Sequence, residues 1–148
     1  PARHVPEMVE RCGRFGIRHM AVPSGGFSEF SAEGKQLAAL TLEQARAFGV
    51  RIVGPNGLTV ADTSSGLCLP FIPLCRAPKG GMSIISQSGG VSIMIFNYLV
   101  DENIGIAKFA SISNKLDLDE VDFLEYYGRD PETRSSACMW RASNAARR

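Results

Sequence analysis

The chain has 148 residues, 45% of them hydrophobic, and a formal net charge of +1. So balanced a charge leaves no electrostatic footprint for nucleic acid or a membrane surface, and no apolar run reaches the ~20 residues that a membrane span requires. Cys12, Cys68, Cys75 and Cys138 are scattered without CxxC spacing. They read as free buried thiols of a cytoplasmic protein rather than as metal ligands. The opening Pro1-Ala2-Arg3-His4 precedes a charged helical segment and does not resemble a secretory signal.

Val5, Met8, Val9 and Cys12 recur at helical spacing, with Gly13 or Gly16 as the stop. Residues 17–22 read as a strand ending at Pro23-Ser24-Gly25-Gly26. A second amphipathic helix is expected over 31–48, with Leu37, Leu40, Ala45 and Phe48 on its apolar face and Gly49 closing it. A short strand, 50–53, runs into Gly54-Pro55-Asn56-Gly57. This alternation is that of a parallel sheet with crossover helices, here without its opening strands.

Residues 70–81 contain three prolines and two glycines without a clear period, and read as a linker. The alternation then resumes: strand 82–85, helix 89–101, strand 107–111, helix 119–128, strand 137–140. The helix is apolar almost all round, through Ile93, Met94, Ile95, Phe96 and Leu99, so both its faces are expected to be covered. The fold class is α/β, in two incomplete parts: residues 1–69 and residues 82–139.

Three turns fall where parallel sheets bind ligands, beyond the carboxyl ends of the strands. They are residues 24–29, residues 54–57, and Ser86-Gln87-Ser88-Gly89-Gly90. In the third, a β-branched run feeds a helix through small hydroxyl-bearing residues. Unpaired N–H groups and the positive end of the helix dipole suit a phosphate or carboxylate there. Ser88 is the expected cap, and the two glycines allow close approach to the backbone. For the first two turns, ordinary glycine and asparagine turn chemistry is an equal reading.

Five ordered segments carry a resemblance: 22–29 (VPSGGFSE), 51–56 (RIVGPN), 84–90 (IISQSGG), 114–120 (NKLDLDE) and 124–133 (LEYYGRDPET). Together they resemble the NDP-forming acyl-CoA synthetases, the family of ADP-forming acetyl-CoA synthetase and the succinyl-CoA synthetase α subunit. The resemblance covers residues 1 to about 139 and marks the chain as a fragment of such an enzyme. It implies the C-terminal half of a Rossmann-like CoA-binding domain, then the N-terminal part of a flavodoxin-like domain. The implied activity joins a carboxylic acid to CoA through an acyl phosphate and a phosphohistidine, with ATP/ADP and Mg acting only in the complete enzyme beside an ATP-grasp subunit or domain.

Position by position, the resemblance implies that Ser24, Gly25, Gly26, Phe27, Pro55, Asn56 and Gly57 line the thiol end of CoA. Many relatives have Cys at the position of Gly57, so no thiol role carries over. Ser86, Gln87, Ser88, Gly89 and Gly90 would hold the phosphoryl group. The acidic residues of 114–120 read as helix caps and solvated groups.

The only histidines are His4 and His19, both ahead of the first glycine turn, so no phosphoryl carrier follows Ser86. No G-x-G-x-x-G or P-loop pattern is present. After Met139 the family usually continues with an aromatic or aliphatic pair and then Glu-Gly-Ile, whereas this chain reads Trp140-Arg141-Ala142-Ser143 and ends in a basic tail. If GC-rich codons are assumed, a frame shift near Trp140 would restore Glu-Gly-Ile-Glu-Arg, the other reading being a divergent or engineered basic tail; on either, the tail 140–148 is expected to be disordered or frayed. Two alternatives stand beside a ligase fragment that is inactive alone: a non-catalytic CoA- or acyl-CoA-binding module, and a truncated nonfunctional product. A flavodoxin-type FMN protein is weaker, because no pair of aromatic loops suits an isoalloxazine.

Overall fold

A computed structural model describes residues 1–70 and 76–140. The first layer holds helix α1 (Val5–Arg14), strand β1 (His19–Ala21), helix α2 (Ala32–Phe48) and strand β2 (Arg51–Val53). β1 and β2 form a parallel pair, with Met20 opposite Ile52. Ser31 caps α2 by accepting from the Gly34 amide, and Gly49 closes it in the left-handed conformation at φ 63°. Val5, Val9, Val22, Phe27, Ala38, Ala45, Val50 and Ile52 make its core. On α2, Leu37, Ala45 and Phe48 of the expected apolar face pack on this core with Ala38, beside the buried Thr41, whereas Leu40 is exposed. Small side chains let α1 pack closely there, and a Cβ on Gly13 would collide with Phe48.

The second layer is a five-stranded sheet in the order β4-β3-β6-β5-β7. Strands β5 (Lys79–Ser86), β6 (Ile106–Ser111) and β7 (Ser135–Met139) are parallel, joined by helices α3 (Gly89–Asp101) and α4 (Glu120–Arg129). Strands β3 (Thr59–Asp62) and β4 (Leu67–Pro70) form a hairpin lying antiparallel on β6. The sequence gives little sign of this hairpin, because each strand is four residues long. Its turn is built by Asp62, whose carboxylate accepts from the Ser64 amide and from the Ser64 and Ser65 hydroxyls.

Two expectations about extent are corrected. Strand β5 starts at Lys79, inside the stretch expected as linker, and residues 71–75 lie outside the described residues. The hairpin also carries residues 59–70 onto the second sheet, so the sheet boundary precedes residue 69. Helix α3 buries only Ser92, Phe96 and Leu99, while Met94 and Tyr98 are exposed, so one of its faces is uncovered. Cys68 and Cys138 are exposed rather than buried; Cys75 and the tail 141–148 fall outside the described residues.

Lys108, in the middle of β6, is 7% exposed. Its ammonium lies 3.2 Å from Asp62 and 3.3 Å from Asp130, tying the hairpin and the end of α4 to the sheet. Burial would lower the Lys108 pKa, but hydrogen bonds from the ammonium to these carboxylates outweigh it and raise the value.

Candidate functional site

The loop after β6 docks the two layers. Its amides at Asn114, Leu116 and Leu118 donate to the carbonyls of Pro55, Gly54 and Ile52. Asp117 accepts from the Ile52 amide at 2.8 Å and from Arg51 Nε at 2.9 Å. The acidic run therefore divides. Asp119 caps α4 in a reciprocal box with Asp122, as expected, whereas Asp117 fastens the first layer to the second. Ser113 and Lys115 take φ of 44° and 51° to make this path.

The docking brings the turn ends together. A cavity of about 550 Å³ is lined by Glu29, Asn56 and Leu58 from the first part of the chain and by residues 87–90 and 113–115 from the second. Ser88 caps α3, accepting from the Val91 amide at 3.4 Å. Ser86 is fully buried and staples the turn: its hydroxyl donates to the Ser88 carbonyl and accepts from the Ser88 amide. Its hydroxyl is thus internal rather than offered to a ligand. The first-turn amides of Gly89 and Gly90 have no carbonyl within the helix to meet. At Gly90 a Cβ would meet nothing within 4 Å, while at Gly89 it would strike Leu58 at 2.6 Å. Gly90 is the open approach to the backbone; Gly89 is needed for packing.

Gln87 donates from Nε2 to Glu120 at 3.0 Å, and Lys115 Nζ pairs with the same carboxylate at 3.1 Å. This places a cation beside the α3 N-terminus, where sequence reading assigned only helix caps. Leu58 carried no sequence signal, since it reaches the cavity only through the docking of the layers. His4 and His19 are both exposed, and neither lines this cavity.

The first-part turns divide in the same way. Gly25 and Gly26 form a tight turn, in which the Gly26 amide donates to Glu29 at 2.8 Å. Burial would raise the Glu29 pKa, but its hydrogen bonds with backbone amides outweigh this and hold it below the ordinary carboxylate value. The Ser24 carbonyl accepts from the Asn56 amide at 3.0 Å, which ties the two turns together. Asn56, at φ 63°, follows the cis Gly54-Pro55 peptide and faces the cavity, whereas Pro55 itself is buried. Phe27 is fully buried in the first core, beneath the start of α2. Its side chain is an anchor rather than a ligand contact. A Cβ on Gly57 would collide with the Ser111 carbonyl, so the backbone there is pressed against β6.

No helix among the described residues is long and apolar enough to cross a membrane. The molecule is an α/β protein whose strand-end turns from two layers enclose one cavity, with a glycine-led helix N-terminus on its wall.

Residues 79–148 match the family model described as a succinyl-CoA ligase like flavodoxin domain. The α subunit of acetate–CoA ligase [ADP-forming] I from Pyrococcus furiosus is 38% identical over 135 residues, covering 91% of this chain and 29% of that protein. Acetate–CoA ligase [ADP-forming] I from Archaeoglobus fulgidus is 38% identical over 133 residues, covering 90% of this chain and 19% of that one. Among solved structures, the dinucleotide forming acetyl-coenzyme A synthetase 1 of Ca. Korarchaeum cryptofilum superposes with a TM-score of 0.91 at 31% identity, over 99% of this chain and 31% of that one. The same protein has been solved in complex with phosphate and ADP. The chain is thus similar along nearly its whole length to ADP-forming acid–CoA ligases, and spans less than a third of the length of these relatives.

Proposed function

We propose that this chain supplies the CoA and phosphoryl portion of an NDP-forming acid–CoA ligase. In this reading the layer of α1, β1, α2 and β2 is the C-terminal half of the CoA-binding domain, and the parallel strands from β5 onward open the flavodoxin-like domain. The observation that carries it is the shared cavity, where Asn56 and Leu58 stand across from the Ser88–Gly90 helix N-terminus. A phosphoryl group with about two negative charges suits free N–H groups, the helix dipole and the Lys115 ammonium. The turn at 24–26 and Asn56 leave the backbone open for a thiol carrier to approach.

The residues have separate tasks. Gly89 and Gly90 donate to the phosphoryl oxygens, and Ser86 and Ser88 hold that turn rigid. Lys115, held by Glu120, offsets the phosphoryl charge. Asn56 positions the thiol end of CoA, while Phe27 and Pro55 fix the turns from below. The thiolate then attacks the carbonyl of an acyl phosphate, the C–O bond to phosphate breaks, and phosphate leaves onto the helix N-terminus. The phosphohistidine, the ATP/ADP and Mg site and an ATP-grasp subunit or domain belong to the complete cytoplasmic enzyme. The 148 residues bind but do not turn over.

Calorimetric titration of the chain with CoA and, separately, with inorganic phosphate tests this. Both should bind saturably, and Gly90→Glu should weaken phosphate at least about tenfold by like-charge repulsion while leaving the fold intact, because a carboxylate suits a first helical turn. No CoA binding at millimolar concentration would remove the reading.

A further inference from the structure

Of the residues lining the shared cavity, only Glu29 and Lys115 carry charge, and the two are held in opposite ways. Lys115 is paired with the Glu120 carboxylate at 3.1 Å. Glu29 has no ion-pair partner among the described residues. Its Oε1 accepts from the Gly26 amide at 2.8 Å, within the same turn. A Cβ on Gly25 would lie 3.4 Å from that oxygen and 3.2 Å from Asn56 Oδ1, so the two oxygens converge over the bare glycine. Asn56 is fixed there by its own amide, which donates to the Ser24 carbonyl at 3.0 Å. An ionised carboxylate offers about four acceptor directions, and the Gly26 amide takes one of them. The cavity therefore has two unlike ends. The Gly89 and Gly90 amides and the Lys115 ammonium donate at one, and Glu29 and Asn56 accept at the other.

A carboxylate without a counter-ion repels any phosphoryl group or second carboxylate brought beside it. It favours an uncharged group that can donate, and a thiol is such a group. We propose that Glu29 is a specificity-determining residue of this cavity: with Asn56 it makes an acceptor niche that takes the uncharged sulfur end of CoA and turns anionic groups away toward α3. The inference rests on the ligase reading and adds direction to it, since each reactant is then confined to one end of the chamber. An acyl phosphate lies with its phosphoryl group at the α3 N-terminus because the opposite end is closed to it by charge rather than by shape. Gly25 belongs to the same device, because any side chain there would crowd both acceptor oxygens.

The test is calorimetric titration of the chain with S-carboxymethyl-CoA and S-carbamoylmethyl-CoA, which match in size and differ in charge at the sulfur end. The carboxymethyl form should bind about tenfold more weakly, as like charges close together in a part-wet cavity imply. That gap should shrink as salt is raised from about 0.05 to about 0.5 M, which a difference of shape would not do. Glu29→Gln keeps an oxygen for the Gly26 amide and removes the charge, so it should bring the two forms within about twofold of each other. If that variant fails to fold, the salt dependence of the wild-type gap decides alone. Equal affinity of the two forms for the wild-type chain, or a gap that survives high salt or Glu29→Gln, would overturn the proposal. Should CoA and phosphate still bind while either of these holds, Glu29 is wrongly assigned and the ligase reading stands. Failure of CoA itself to bind removes both.

Discussion

Replacing Phe27 separates two roles that its glycine-rich turn leaves confounded. The ring is fully buried against Val9, Ala38 and Ile52 in the first core, and its backbone carbonyl lies against Gly34 of α2, where a Cβ would collide with it. An aromatic ring buries about 200 Å², which at ~25 cal/mol per Å² is about 5 kcal/mol, and measured Phe→Ala losses in cores run to about 3–5 kcal/mol. Phe27→Ala should therefore cost about 4 kcal/mol in urea denaturation. Phe27→Leu, which keeps most of the volume, should cost about 1–1.5 kcal/mol and leave CoA affinity within about twofold. A Phe27→Ala protein of near-normal stability that no longer binds CoA would refute the assignment and return the ring to the ligand.

Other outcomes follow from the ion pairs. Lys108→Met strands the Asp62 and Asp130 carboxylates and should cost about 3 kcal/mol at neutral pH by chemical denaturation. Burial would raise the Asp62 pKa, but hydrogen bonds from Ser64, Ser65 and Lys108 hold it far below the ordinary value; Asp130 is lowered chiefly by the Thr133 hydroxyl, and also by Lys108. Their stabilisation is complete above the ordinary Asp value of about 3.9 and is lost as pH falls toward the depressed folded values. Urea midpoints should therefore hold from neutral pH down to about 4 and drop below it, whereas in Lys108→Met the drop should be smaller, because the two carboxylates then titrate closer to their unfolded values. Asp117→Ala removes the bonds to Arg51 and the Ile52 amide and should cost about 1–2 kcal/mol, with faster hydrogen exchange at Ile52.

The sequence shows elements whose cues are local. Ser31 and Gly49 mark both ends of α2, and Ser88 followed by two glycines marks the start of α3. What escapes it depends on distant partners. The hairpin of β3 and β4 has strands of four residues and takes its place only by pairing with β6. Leu58 and Lys115 reach the cavity because the loop after β6 lies along residues 52–55. Phe27 looks like a ligand contact when read within its turn and becomes a core residue once α2 folds over it. The exposed Met94 and Tyr98 defy the apolar pattern of α3 because nothing among the described residues covers that face.

Amide resonances of the labelled chain, followed as inorganic phosphate and then CoA are added, test the joined cavity most directly. Phosphate should move Gly89, Gly90 and Lys115, and CoA should move Gly25, Gly26, Asn56 and Gly57, with the two sets meeting at Leu58. Shifts confined to one layer, or phosphate effects at a site away from the start of α3, would contradict a shared chamber for thiol and phosphoryl group.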